Sequence, residues 1–120
     1  MVEYTSHLLR AWLADAAPTD LVRLTAHWID RAVSYPDQGY CEDPGLTGDG
    51  VVDALVAAAV ETVSLRRGDF SPQWTSGPER FLTTVWHPGP PGMLAWSFAH
   101  APGSFKVRGL LVESDSLRCA

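Results

Sequence analysis

The sequence has 120 residues, enough for one globular domain to bury a single core without metals or disulfide bonds. Apolar residues make up 46% of it and charged residues 19%, a composition that excludes a disordered chain. The formal charge of -5 argues against a protein that binds phosphate backbones, which requires clustered Lys and Arg. The chain shows neither a secretion signal nor an apolar run of membrane-spanning length. We therefore expect a single cytoplasmic domain over residues 1–120, with neither a nucleic-acid nor a membrane partner.

Helical periodicity dominates the front of the chain, residues 5–68. Apolar residues recur at helical spacing over residues 5–17, with Ser6 as the predicted N-cap and Pro18 as the stop. Thr19 is the predicted cap of a second helix, which ends before Tyr35-Pro36. The acidic residues 36–50, rich in Gly, predict a long irregular loop.

The clearest helix pattern follows that loop. Asp49 offers an N-cap, a wide apolar face continues to residue 63, and Gly68 marks the end. In the Trp-rich segment 72–120, Ser76 and Pro78 predict the start of a short helix that runs on to Trp86. The Pro- and Gly-rich residues 87–92 then break the chain before another predicted helix over residues 93–101.

The end of the chain differs from the rest in its predicted structure. Residues 110–112 are β-compatible, and we expect Gly109 to supply a positive-φ turn before them. The whole pattern predicts an all-α or nearly all-α bundle of about five helices, with a short extended segment near the C-terminus.

No complete catalytic or metal-binding motif occurs in the sequence. The serines lack a GxSxG turn, the Gly-rich residues 45–50 lack a phosphate-binding Lys, and the histidines form no metal array. Cys41 and Cys119 lack metal or redox spacing and are expected to remain unjoined thiols. These residues favour a protein that has no cofactor, no metal and no reaction of its own, although a triad assembled from distant positions stays open.

Charge is distributed unevenly along the chain. Residues 32–65 hold six acidic residues and no Lys or Arg, whereas residues 66–120 hold six basic and four acidic residues. The acidic middle either steers a basic partner or keeps the surface solvated.

The aromatic residues of the C-terminal half allow three interpretations. Trp and Arg are over-represented at binding hot spots, which makes Trp74, Arg80 and Trp86 candidates for a partner interface. The same residues are also compatible with an ordinary core. A third interpretation is a small enzyme or ligand-binding domain whose aromatic pocket lies among Trp86, His87, Trp96 and His100.

Several motifs of this half resemble those of small actinobacterial antitoxin-like proteins: Gln73-Trp-Thr75, Pro78-Glu-Arg-Phe-Leu82, Trp86, Ala101-Pro-Gly-Ser-Phe-Lys-Val-Arg-Gly-Leu-Leu-Val112 and Ser116-Leu117. The match covers about the last half of the chain. It departs from the family pattern at Phe105-Lys-Val, which replaces a basic run, and at Trp86-His87, which replaces an aromatic pair.

The resemblance implies a regulatory, non-catalytic companion of a nucleotidyltransferase-type toxin. The expected binding residues are then Trp74, Arg80 and Trp86, together with the basic ending at Lys106 and Arg108. No helix-turn-helix is recognisable, so DNA binding is not expected.

Overall fold

The computed structural model describes residues 3–36 and 38–117. In these ranges the chain forms five α-helices, several 3-10 turns and no β-strand, which confirms the predicted all-α fold. The helices are α1 (Ser6–Asp15), α2 (Leu21–Ser34), α3 (Gly50–Arg67), α4 (Leu94–His100) and α5 (Gly103–Lys106).

Helix α3 is the centre of the molecule. The Asp49 side chain accepts hydrogen bonds from the Val51 and Val52 amides, and Gly68 ends the helix with a φ of 74°. Both ends therefore follow the sequence prediction. Helices α1, α2 and α5 pack around α3, and the turns Gln73–Ser76 and Pro78–Arg80 pack on it as well.

The starts of α1 and α2 differ from the predicted ones. Thr5, not Ser6, caps α1 by accepting a hydrogen bond from the Leu8 amide. Ser6 is buried, and its hydroxyl donates to the Glu42 carbonyl, which ties α1 to the acidic loop. Thr19 lies inside the 3-10 turn Pro18–Asp20 and does not cap α2.

The helix predicted from Ser76 to Trp86 is wrong. The chain makes the turns Gln73–Ser76 and Pro78–Arg80 and then becomes extended, with a ψ of 131° at Phe81. Backbone hydrogen bonds to a distant segment replace helical ones here. The amides of Leu82 and Trp86 donate to the carbonyls of Arg108 and Gly109, and Trp86 forms a parallel bridge with Leu110.

The C-terminal segment has one helix that the sequence analysis missed. The predicted break after α4 is present, but α5 begins at once at Gly103. Gly109 then adopts a φ of 81°, as predicted, and the chain turns into the extended residues 110–112. The side chains of Leu110, Leu111 and Val112 are buried, so this short segment contributes to the core.

Two further sequence predictions concern the membrane and the cysteines. No helix in residues 3–36 and 38–117 has the length and apolar character needed to cross a bilayer. Cys41 is a free thiol. Cys119 lies outside the described residues, so the prediction that the two cysteines are unjoined stays a prediction.

Candidate protein-binding site

Arg80 lies in the interior, not on an outward-facing surface. Its side chain is 2% exposed and lies beside two carboxylates, with Nη1 4.0 Å from Asp53 and Nη2 3.6 Å from Asp43. The guanidinium also donates to the carbonyls of Asp53 and Gly45 at 3.1 and 3.2 Å. Burial lowers the pKa of Arg80, and the neighbouring carboxylates act against that shift.

The contacts of Arg80 fix the acidic loop against α3. Buried Asp53 accepts hydrogen bonds from the Thr47 amide and hydroxyl, both at 2.8 Å, and from the Gly48 amide at 3.2 Å. The Trp74 ring lies 4.7 Å from the Arg80 guanidinium, and its indole N–H donates to the Cys41 carbonyl at 3.0 Å. Trp74 and Arg80 therefore hold the loop in place.

Arg108 is the second interior cation, 1% exposed. It contacts both carboxylate oxygens of Glu61 at 3.2 Å and donates to the carbonyls of Ser104 and Thr75 at 2.7 and 2.8 Å. Burial by itself would raise the pKa of Glu61, but the hydrogen bonds from Arg108 and Ser104 bring it below its ordinary value. This pair joins the C-terminal segment to α3.

The two interior arginines account for part of the uneven charge of the sequence. Asp53 and Glu61 belong to the acidic middle of the chain, and Arg80 and Arg108 belong to its basic end. Part of the charge contrast is therefore used inside the fold. Both arginines are too buried to meet a partner, and the rings of Trp74 and Trp86 pack, half-buried, on the core.

Lys106 is the remaining predicted binding residue, and it borders an exposed helix. In α4 only Ser97 is buried, whereas Trp96 is 52% and Phe98 is 55% exposed. We call this region the α4 surface, and its side chains are Met93, Leu94, Trp96, Phe98, Lys106 and Val107. Its five apolar members are all exposed: Leu94, Trp96 and Phe98 lie in α4, Met93 directly precedes α4, and Val107 directly follows α5.

Two ring contacts order the α4 surface. The Lys106 ammonium lies 5.1 Å from the centroid of the Phe98 ring, a cation–π distance. Trp96 and His100 stack with 3.9 Å between ring centroids and 20° between planes. Both aromatic side chains therefore have a defined neighbour and are still about half exposed.

Of the four residues predicted to line a ligand pocket, two share a small cavity in the part of the chain that the structure describes. Trp96 and His100 line a cavity of about 70 Å³ together with Glu113 and Ser114. Small-molecule sites usually enclose about 300–1,000 Å³. Larger open grooves, of about 330 and 310 Å³, lie on the α1–α2 front and include none of the predicted pocket residues.

His87 contacts Ser97, a pair of residue types that can support nucleophilic catalysis. The Ser97 hydroxyl lies 2.9 Å from His87 Nε2 and 3.4 Å from Glu113 Oε1. A catalytic serine needs access to substrate and an acid that orients its histidine. Ser97 is 3% exposed, and within the described residues Glu113 contacts the serine and not the histidine. The arrangement anchors α4 to the extended segment.

Metal ligands and known relatives give no further assignment. Over the part of the chain that the structure describes, no three His, Cys, Asp or Glu residues group as a metal site. In comparisons with known proteins, no family model, no curated protein and no solved structure matches this chain. The resemblance to antitoxin-like proteins stays a prediction.

Sequence reasoning missed the acidic partners of the two arginines. Asp53 and Glu61 interrupt the otherwise apolar run of α3, and a buried carboxylate requires a cation or several donors. That signal was present in the sequence and indicated cationic or hydrogen-bond-donating partners beside α3. The exposure of Trp96 and Phe98 had no comparable local signal.

Proposed function

We propose that this protein is a non-catalytic, antitoxin-like binding protein that holds one protein partner through the α4 surface and acts in the cytoplasm. The supporting observation is the exposure of Leu94, Trp96 and Phe98 on a single short helix. Contiguous apolar side chains at the surface of a domain mark interaction sites. Aromatic residues supply much of the binding energy at such sites.

The proposal moves the interface from the Trp74 and Arg80 region to α4. Arg80 and Trp74 are engaged with the acidic loop, whereas Lys106 stands at the edge of the α4 surface. The motif resemblance adds a class of partner, a toxin encoded beside this gene. Binding of a partner through α4 does not depend on that partner being a toxin.

Affinity capture from the native host tests the proposal with a Trp96→Ala, Phe98→Ala double variant. We expect the wild type to retain one protein in fixed proportion and the double variant to lose it, since truncating hot-spot residues costs about 2 kcal/mol or more each. The matched control is Leu65→Ala, Phe70→Ala, which removes two exposed apolar side chains elsewhere.

Thermal melting of each variant shows whether the fold is intact. If the wild type retains no protein in fixed proportion, including the product of an adjacent gene when co-expressed, the proposed function is wrong. If wild type and double variant retain the same protein equally, the α4 surface is not the interface.

A further inference from the structure

We infer that residues 87–100, which include α4 and are called here the α4 strap, open away from the domain as a unit while the other four helices stay folded. The buried Ser97 is the latch of this motion. The inference does not depend on the proposed function, since the strap opens with or without a partner. Three observations support it: the burial of the strap, the contacts that fasten it and the fixed positions of its two ends.

Almost none of the strap is buried. Residues 88–96 and 98–100 are all exposed, His87 is half-buried, and Ser97 is the one buried residue of the segment. Opening the strap therefore removes much less apolar burial than opening α3 would. Segments with few buried apolar contacts open at a low free energy, well below that of global unfolding.

Few polar contacts fasten the strap to the rest of the domain. Within residues 3–36 and 38–117, no backbone-to-backbone hydrogen bond does so. The Ser97 hydroxyl donates to Glu113 Oε1 at 3.4 Å, and the Ser114 hydroxyl donates to the His100 carbonyl at 2.8 Å. A cation–π contact with Lys106 adds a third. Ser97 supplies the one buried side chain among these contacts, which makes it the latch.

A further contact closes the strap on itself. His87 Nε2 lies 2.9 Å from the Ser97 hydroxyl, so these two side chains close a loop around the Pro- and Gly-rich residues 88–92. Because an ionised carboxylate only accepts, Ser97 gives its single hydrogen to Glu113 and accepts from His87. Loss of the Glu113 contact therefore leaves the loop closed, and the strap moves as one unit.

Both ends of the strap are fixed to the domain. The Trp86 amide donates to the Gly109 carbonyl at 2.8 Å, and the Trp86 carbonyl accepts from the Leu111 amide at 2.9 Å. At the other end Ala101 is buried, and α5 follows with Phe105 fully buried. The opening therefore stops at residues 86 and 101, and the core does not take part in it.

Native-state hydrogen exchange at pH 7 in low concentrations of urea tests the opening residue by residue. We expect the α4 amides of the full chain to exchange at least about 100-fold faster than the α3 amides, because they do not require global unfolding. Their exchange should also depend less on urea, since the opening exposes less surface.

Two variants separate the strap from the core. Ser97→Ala should speed α4 exchange at least about tenfold, because it removes the latch. The α3 amides gain at most the same factor, since global unfolding includes the opening. Val60→Ala is the core control: it creates a cavity at a fully buried position of α3 and should speed α3 exchange at least about tenfold. It should leave α4 exchange within about twofold, because the strap opens with α3 intact.

Three results would overturn the inference. The first is α4 exchange that matches α3 in rate and urea dependence, or that rises with it in Val60→Ala. The second is α4 exchange at the unprotected rate, since no latched state would then exist. The third is a Ser97→Ala variant with unchanged α4 exchange. Each leaves the proposed function standing, which partner capture decides separately.

Discussion

Helix α3 buries eleven of its eighteen residues, whereas α4 buries only Ser97 of its seven. Both helices are rich in apolar residues, so composition does not explain the difference. Three other helices pack around α3, while within the described residues the main packing contact of α4 is the turn just before it, Pro91–Met93. The apolar residues of α3 are therefore satisfied within the domain, and those of α4 remain available to a partner.

Arg108 and Lys106 give the largest expected difference in stability. They are two residues apart, but Arg108 is buried and Lys106 lies at the edge of the α4 surface. We expect Arg108→Met to lower the free energy of unfolding by about 3 kcal/mol, since it leaves Glu61 and two carbonyl groups without their donor. Lys106→Met should change it by less than about 0.5 kcal/mol. Urea denaturation at pH 7 measures both. Equal losses would contradict the interior assignment of Arg108.

The same substitution in the two helices gives the next largest contrast. Ala58 is fully buried in α3, so Ala58→Leu should cost about 2 kcal/mol by overpacking the core. Ala99→Leu changes an exposed position of α4 and should alter stability by less than about 0.5 kcal/mol, while it changes the surface that α4 offers to a partner. Melting curves and partner capture separate the two effects. A destabilised Ala99→Leu variant would show that α4 is packed more deeply than described.

Gly109 tests the turn that joins α5 to the extended residues 110–112. Its φ is 81°, and an added Cβ would lie 3.2 Å from Leu82 Cβ. We expect Gly109→Ala to cost about 1.5 kcal/mol, from backbone strain and from this contact. Gly48 has a φ of 91° and no atom within 4 Å of an added Cβ. Gly48→Ala is therefore the control for backbone strain alone and should lower the free energy of unfolding by about 1 kcal/mol. Identical losses in chemical denaturation would exclude a contribution from the Leu82 contact.

The smallest effect concerns pH. Contacts with Arg108 and Ser104 hold the pKa of Glu61 below its ordinary value of 4.5, so the charged form stabilises the fold. That stability is present above pH 4.5 and disappears as the pH falls through the lower folded-state pKa. Glu61→Gln should therefore cost less than about 1 kcal/mol at pH 7, because Glu61 is partly solvated, and still less in acid. A wild-type advantage that persists unchanged at pH 2 would rule out this pairing as its source.

Local signals in the sequence determined α3 most completely. Asp49 at its start, a continuous apolar face and Gly68 at its end act within about one turn of the residues they control. For the same reason the positive φ of Gly109 and the all-α fold could be predicted from the sequence. The first two helices were predicted as elements, but their exact caps were not, because Ser6 is drawn into the interior by the distant Glu42 carbonyl.

Tertiary structure decided the segment after Ser76 and the location of the candidate site. The signals at Ser76 and Pro78 coincide with the two 3-10 turns and not with a helix. The backbone after Arg80 pairs with residues 108–110, so it does not continue into a further helical turn. The burial of Arg80 depends on Asp53, 27 residues earlier, and the exposure of Phe98 depends on which helices pack against α3. Helix caps and turns are encoded by neighbours in sequence, whereas burial is set by neighbours in space, which local periodicity does not specify.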